Sequence, residues 1–336
     1  MAAAWPAMTD LIEHSMMKDN LIAARVIARE RVACDVVSLR LASSEANAEL
    51  PAFEAGAHID LHLRDGLVRK YSLCSDPSER AFYEIAVKRE PASRGGSVFV
   101  HDEIRVGDIL SIGKPENYFP LAPDGSGAVL LAAGIGITPL LAMAHTLKRA
   151  GPAFEFHYFV RSLDDAAYAR TLQEQLAQVF TLHVGLTPEL TRETLAELVR
   201  RMSSQEHLYF CGPAPFMDAA DAIACAHLPA QQIHCERFSA ATGDAAGEQP
   251  FEIQLARSQR VLTVPPDKSI TDVLYEHGVP IETSCEAGIC GACRTPVLDG
   301  TPDHRDDFLS AADKARNDCI MPCVSRCKTE RLVLDI

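Results

Sequence analysis

Ser284-Cys-Glu-Ala-Gly-Ile-Cys-Gly-Ala-Cys293 sets Cys285, Cys290 and Cys293 in a C-x4-C-x2-C array, and Cys323 follows after twenty-nine further residues. Between the three thiols, Ala287, Gly288, Gly291 and Ala292 are small. The backbone can therefore fold closely round a metal centre and aim its N–H groups at sulfur. Three thiolates on one loop and a fourth from a distant segment is the ligand spacing of a [2Fe–2S] cluster. A structural zinc site is the competing reading, with Cys290/Cys293 and Cys319/Cys323 as two knuckles. It leaves Cys285 and the small-residue loop without a purpose. Cys319 and Cys327 each lie four residues from Cys323 and are alternative fourth ligands, but Cys323 fits the spacing best. Of eleven cysteines, six fall between Cys285 and Cys327, while Cys34, Cys74, Cys211, Cys225 and Cys235 are scattered singly. Such clustering points to a metal site, not a disulfide framework.

Outward from this array, the chain changes grammar three times. Residues 20–122 alternate apolar and polar residues in short runs, as in His58-Ile-Asp-Leu-His-Leu63 and Phe82-Tyr-Glu-Ile-Ala-Val87, with Asp65-Gly66 as a turn. That pattern predicts antiparallel strands at sandwich or barrel spacing, with an antiparallel β-barrel as the expected fold. Residues 123–238 alternate strands with helices, predicting an α/β doubly wound parallel sheet. Strands are expected at 128–133, 154–160, 179–184, 207–211 and 232–236, and helices at 140–149, 164–178 and 192–201. Residues 239–250 have linker composition. Residues 251–336 open with alternating strands and carry the cysteine array, as an α+β domain. Residues 1–19 read as a flexible leader with no assigned role, and no basic, apolar signal segment is apparent there.

In the barrel segment, Arg69-Lys70-Tyr71-Ser72 is followed one strand later by Ala86-Val87-Lys88, and then by Gly95-Gly96-Ser97 after Arg94. Arg69 can grip a phosphate with two N–H groups, and Tyr71 offers a flat face to an isoalloxazine ring. Ser72 can hydrogen-bond the reactive edge of that ring. Gly95, Gly96 and Ser97 could open a helix whose free N–H groups receive the phosphate. A basic residue beside an aromatic is usually just a strand with one solvated face. The ordered set within thirty residues is what carries the flavin reading.

Gly134-Ile-Gly136-Ile-Thr138-Pro139 sits at a strand end and leads into a helix. Gly134 and Gly136 permit a tight turn and close approach of a pyrophosphate, although Pro139 stands where a third glycine is usual. Cys211-Gly212-Pro213 ends a later parallel strand and also turns into a helix. Ligands bind at strand C-termini in such sheets, so both turns are expected to line one nicotinamide crevice. Plain strand–helix punctuation, with Cys211 a buried strand-end thiol, is the alternative. Arg161 ends the second strand where an acidic residue is customary, so a 2′-phosphate, and hence NADPH, is admissible.

The formal net charge of −14 argues against a nucleic-acid partner. It suits either a complementary protein surface or plain solubility. No apolar run reaches the ~20 residues of a spanning helix. A cytoplasmic monomer without membrane association is expected.

Taken together, these motifs resemble the phthalate dioxygenase reductase and vanillate O-demethylase reductase family, class IA reductases of Rieske oxygenases. The most specific part is Ser284–Cys293 with Asp303-His-Arg-Asp306 and Cys323-Val-Ser-Arg326. The resemblance implies FMN rather than FAD, held by Arg69, Tyr71, Ser72, Val87 and Ser97, and a β-grasp ferredoxin domain. It implies NADH in preference to NADPH at Gly134, Gly136, Thr138 and Cys211. It also suggests that Phe238 lies against the flavin and yields to the nicotinamide, while a domain-boundary core residue is the alternative. The implied function is hydride transfer to flavin, with single electrons then passing through the cluster to a terminal Rieske non-haem iron oxygenase by transient docking. Residues 251–336 hold fourteen acidic and ten basic residues, so that docking is expected to weaken with salt. Two other functions use many of the same motifs: a similar reductase serving a di-iron monooxygenase or cytochrome, and a zinc-stabilised nucleotide-binding protein without redox turnover.

Overall fold

A computed structural model describes residues 21–64, 67–90, 95–238, 249–266, 268–279, 281–283, 288, 291–306 and 308–336. Cys285, Cys290, Arg94, the 1–19 leader, the Asp65-Gly66 turn and nearly all of the 239–250 linker lie outside the described residues. The chain divides into two units, Met1–Glu236 and Arg237–Ile336.

The first unit begins with seven strands: β1 (Ile22–Ala33), β2 (Val36–Ser43), β3 (Ala57–His62), β4 (Val68–Ser72), β5 (Tyr83–Lys88), β6 (Ile109–Ile112) and β7 (Glu116–Asn117). They pair antiparallel in the order β4-β3-β6-β1-β2-β5, with β7 on β3. A bridge between Leu73 and Ile85 joins the two ends of that order and closes the barrel. Alternation explains its core: Leu39 and Leu41, Ile59 and Leu61, and Tyr83 and Ile85 are all fully buried. The helix Gly96–Asp102 follows β5, entered through Gly95 at φ 90°.

The same unit continues with β8 (Gly127–Ala133), β9 (Phe154–Val160), β10 (Phe180–Val184), β11 (Glu206–Cys211) and β12 (Ile233–Glu236). All pair parallel, in the order β10-β9-β8-β11-β12. The order reverses about β8, so the crevice at the C-terminal ends of β8 and β11 is the ligand position of such sheets. The expected strands agree within two residues, because apolar runs such as Val129–Ala133 can only be satisfied in the interior.

Helix ends differ more. The helix expected from 140 begins at Ile137, with Pro139 in the first turn where its missing N–H costs nothing. The helix expected from 192 begins at Pro188, because the Thr187 hydroxyl accepts from the Leu190 N–H and caps it. The helix expected over 164–178 is broken. A 3₁₀ turn covers Leu163–Asp165, Tyr168 takes a left-handed backbone at φ 60°, and only Ala169–Gln175 is α-helical.

The second unit has a five-stranded sheet in the order β14-β13-β19-β15-β17: β13 (Phe251–Leu255), β14 (Val261–Val264), β15 (Thr295–Asp299), β17 (Cys319–Ile320) and β19 (Arg331–Leu334). A small ladder joins β16 (Pro302–Asp303) to β18 (Arg326–Cys327). β13 and β19 pair parallel at the centre, with antiparallel β14 and β15 outside. The helix Ile270–Glu276, fixed by a Ser269–Asp272 capping box, buries Ile270, Val273 and Leu274 against Ile253, Leu255 and Leu334. This is the β-grasp arrangement. Among the described residues, no helix is long and apolar enough to cross a membrane.

Candidate functional site

Pairing of β4 with β3 sorts the Arg69–Ser72 side chains onto two faces. Asp60 stands opposite Lys70 and His58 opposite Ser72, while Arg69 and Tyr71 share the other face with Leu61 and Ile59. The Arg69 stem lies across the start of the helix Gly96–Asp102. A Cβ on Gly96 would come within 2.8 Å of Arg69 Cγ, so only glycine leaves room there. Arg69 is thereby set beside a helix start entered through two glycines, a cradle suited to a phosphate. Tyr71 is half-buried, and Ala86 and Val87 are buried on β5 opposite Ser38 and Val37 of β2. The Ser97 hydroxyl accepts from the Glu90 N–H at 3.0 Å, and Lys88 pairs with Glu90 at 2.6 Å.

Lys70, expected among the cofactor-binding residues, lies on the face of β4 opposite to Arg69. Its ammonium donates to His58 Nε2 at 2.8 Å and forms ion pairs with Asp60 Oδ1 at 3.0 Å and Glu116 Oε2 at 3.6 Å. The other His58 nitrogen is buried without a hydrogen-bond partner. Burial, and then the Lys70 charge, push the His58 pKa down to about 4 against the pull of Asp60. Its folded pKa lies below the unfolded ~6.5, so stability present above that pH is lost as pH falls toward 4. At pH 5 the loss from this group is about 2 kcal/mol. Urea unfolding at pH 7.5 and 5 should show native protein losing that much more than His58→Gln, which keeps an acceptor for Lys70. Equal losses would refute the assignment.

The barrel meets the parallel sheet at Ser72. Its hydroxyl donates to Glu236 Oε2 at 3.3 Å, and Glu236 pairs across β11–β12 with Cys211. Burial raises the Glu236 pKa to about 7, opposed by the Ser72 hydrogen bond and the Lys70 charge. The Cys211 thiol is fully buried and burial pushes its pKa well up, so it stays neutral. Glu236 was missing from the sequence-based site, since a lone acidic residue at a strand end carries no local signature. Phe238 falls in the second unit and is 43% exposed.

The two expected turns come together. A Cβ on Gly136 would stand 2.2 Å from Cys211 O and 2.6 Å from the Gly212 nitrogen. A Cβ on Gly212 would stand 2.8 Å from Ala133 Cβ. The turn after β8 and the turn after β11 therefore touch backbone to backbone, with Gly134 at φ 52°. Thr138 is buried and donates to Ile135 O at 3.0 Å, which fixes the first turn. Pro213 caps the helix Ala214–His227. Arg161 is exposed just after β9, beside the Ser162–Asp165 hydrogen bond of 2.9 Å.

In the second unit, Cys293 and Cys323 are buried with their sulfurs 3.3 Å apart. That is well beyond a disulfide bond of ~2.05 Å, and it suits two thiolates sharing one metal centre. Gly288 and Gly291 have φ of 74° and 78°. A Cβ on Gly288 would press on Val324 and on the Asp306 backbone, and one on Gly291 on the Phe308 ring. Asp306 is buried and accepts from the Leu309 N–H at 2.8 Å and the Ser325 hydroxyl at 3.3 Å. Cys327 donates to Thr329 O at 2.9 Å. The thiol pair and the glycine-only loop fit a cluster held by Cys293 and Cys323.

Two family models match: an oxidoreductase FAD-binding domain over residues 23–119 and a 2Fe-2S iron-sulfur cluster binding domain over 253–328. The vanillate O-demethylase oxidoreductase of Pseudomonas sp. strain HR199 is 41% identical over 94% of this chain and 100% of its own length. The tert-butanol monooxygenase / tert-amyl alcohol desaturase reductase subunit of Aquincola tertiaricarbonis is 43% identical over 87% of this chain and 89% of its own. The solved structure of phthalate dioxygenase reductase superposes with a TM-score of 0.78 at 35% identity, covering 95% of this chain and 99% of that one. The cluster model decides iron–sulfur over zinc. Near-full-length relatives, both domain matches and the barrel, parallel-sheet and β-grasp architecture agree: the chain belongs to the phthalate dioxygenase reductase and vanillate O-demethylase reductase family of flavin and [2Fe–2S] electron-transfer oxidoreductases.

Proposed function

We propose that this oxidoreductase takes hydride from NADH and delivers single electrons to a terminal Rieske-type oxygenase. The observation that carries the donor side is the convergence of Ser72, Glu236 and Cys211 where the barrel meets the C-terminal edge of the parallel sheet. A bound flavin supplies the exchange between a two-electron donor and a one-electron carrier. Arg69 with the Gly95-Gly96 turn binds its phosphate, Tyr71 packs the ring, and Ser72 orients the ring edge. FMN is favoured over FAD by the family resemblance. Gly134, Gly136, Thr138 and Cys211–Pro213 hold the dinucleotide, and exposed Arg161 stands where a 2′-phosphate would test NADPH against NADH. Cys285, Cys290, Cys293 and Cys323 are the proposed cluster ligands.

The reaction balances as NADH plus two oxidised one-electron acceptors giving NAD⁺, two reduced acceptors and one proton. That proton needs an exit. Glu236, bonded to Ser72 and with a pKa near 7, takes it in the carboxylate form. Turnover with ferricyanide should therefore rise with pH through about 7. Glu236→Gln should flatten that rise and slow turnover by roughly 100-fold. An unchanged pH profile in the variant would rule Glu236 out.

The oxygenase partner is inferred from the names of the relatives, and their different substrates imply that substrate choice lies in the partner. The principal test is anaerobic NADH titration followed by visible absorbance, with iron, sulfide and flavin assays on the same sample. Bleaching of flavin and cluster bands together is expected. A colourless protein, or one that NADH leaves unchanged, would end this reading.

A further inference from the structure

Tyr168 is the one aromatic residue at positive φ among the described residues, the other non-glycine cases being Asn47, Gln259 and Asn317. A bulky side chain rarely adopts this backbone unless the surroundings impose it. Here the gain is visible. The Tyr168 hydroxyl leaves the parallel-sheet half and donates to Glu84 Oε1 at 2.8 Å in the barrel. The other Glu84 oxygen accepts from Arg40 Nε at 2.9 Å, and Glu84 is only 8% exposed. Cys74 closes the arrangement, 3.7 Å from the phenol oxygen and donating to Glu84 O at 3.2 Å. Nearby, Arg149 pairs with Asp76 at 2.5 Å and the Cys34 N–H donates to Asp164 O at 2.8 Å.

The chain connectivity gives this clasp its meaning. Cys74 lies two residues beyond Ser72, and Glu84 stands on β5, which leads to Ala86 and Val87. Tyr168 follows the Arg161 strand end, and Arg149 closes the helix that begins at the Gly134–Gly136 turn. One buried carboxylate thus ties the flavin strands to the scaffold of the dinucleotide turns, independently of the Ser72–Glu236 bond. We propose that Tyr168 is a positioning residue for hydride transfer, whose hydroxyl on Glu84 sets the separation of the two reacting ring sites. This rests on the functional reading above. Hydride transfer falls steeply with misplacement, about 100-fold for 1 Å, so a small loosening of this joint is measurable.

The test is anaerobic stopped-flow reduction of the flavin by NADH in the holoprotein. Tyr168→Phe keeps the ring and removes only the hydroxyl. It should slow the limiting reduction rate by about tenfold, leave NADH affinity within twofold, and weaken the long-wavelength nicotinamide–flavin charge-transfer absorbance. Tyr168→Gly relieves the backbone but also deletes the clasp, and should be at least as slow. A rate within twofold of native in Tyr168→Phe overturns the proposal, as does a slow rate explained wholly by lost flavin or weakened NADH binding. Failure of native protein to react with NADH would instead defeat the functional reading, and the two failures are distinct.

Discussion

Substituting alanine for Gly136 should lower NADH-dependent flavin reduction by roughly 100-fold and should also lower the melting temperature. The reason is steric and lies in the main chain. Gly136 has φ −61°, which any residue can adopt, so backbone freedom is not the issue. The added Cβ would meet Cys211 O at 2.2 Å and the Cys211 carbonyl carbon at 2.3 Å. No rotamer change relieves a clash with backbone, so the turn after β8 and the turn after β11 must part. Overpacking of this kind costs ~1–3 kcal/mol, or several degrees in a unit of this size. Both turns lead into the proposed dinucleotide crevice, so their separation misplaces the bound nicotinamide. Anaerobic stopped-flow should show the slow reduction, and dithionite should still reduce the flavin fully. Gly134→Ala is the informative comparison: its Cβ meets nothing within 4 Å, so only the strain of φ 52° remains and the loss should be smaller. Equal, mild effects at both positions would show that the turns do not act as a pair.

Where a function is written in local spacing, the sequence was enough to find it. The β8, β9 and β11 strands were legible as apolar runs, the two turns as glycines at strand ends, and the 2Fe-2S domain as a clustered cysteine array. Features fixed by contacts distant in sequence were not. The break in the 164–178 helix depends on a hydrogen bond from Tyr168 to Glu84, eighty-four residues away. Glu236 joins the site only because β12 pairs beside β11 and Ser72 approaches it from the barrel. Lys70 follows Arg69 in the same tetrapeptide, but strand alternation turns it toward Asp60 and His58. An acidic or basic residue has no periodic signal of its own, so its role waits on which face of which strand it occupies.

Cys323→Ser should separate the two halves of the electron path. Cys323 is buried, its sulfur is 3.3 Å from Cys293, and it shares an apolar cluster with Leu309, Cys319 and Met321. A serine oxygen is a harder, less polarisable donor and a poor substitute for thiolate on iron. Substitutions merely around a metal centre cost ~10–100-fold in affinity or activity, so loss of a ligand should exceed that. Cluster content should fall, and electron delivery to a one-electron protein acceptor such as cytochrome c should drop by roughly 100-fold or more. NADH reduction of the flavin should stay near the native rate, because Arg69, Tyr71, Ser72, Cys211, Glu236 and the two glycine turns all belong to the first unit. Cys319 supplies the control. It is equally buried in the same cluster but fits the ligand spacing less well than Cys323, so Cys319→Ser should keep the cluster and most of its electron transfer. If Cys319→Ser lost iron while Cys323→Ser retained it, the fourth ligand would have to be reassigned. If neither variant lost iron, the 3.3 Å sulfur pair would be packing and not a metal site.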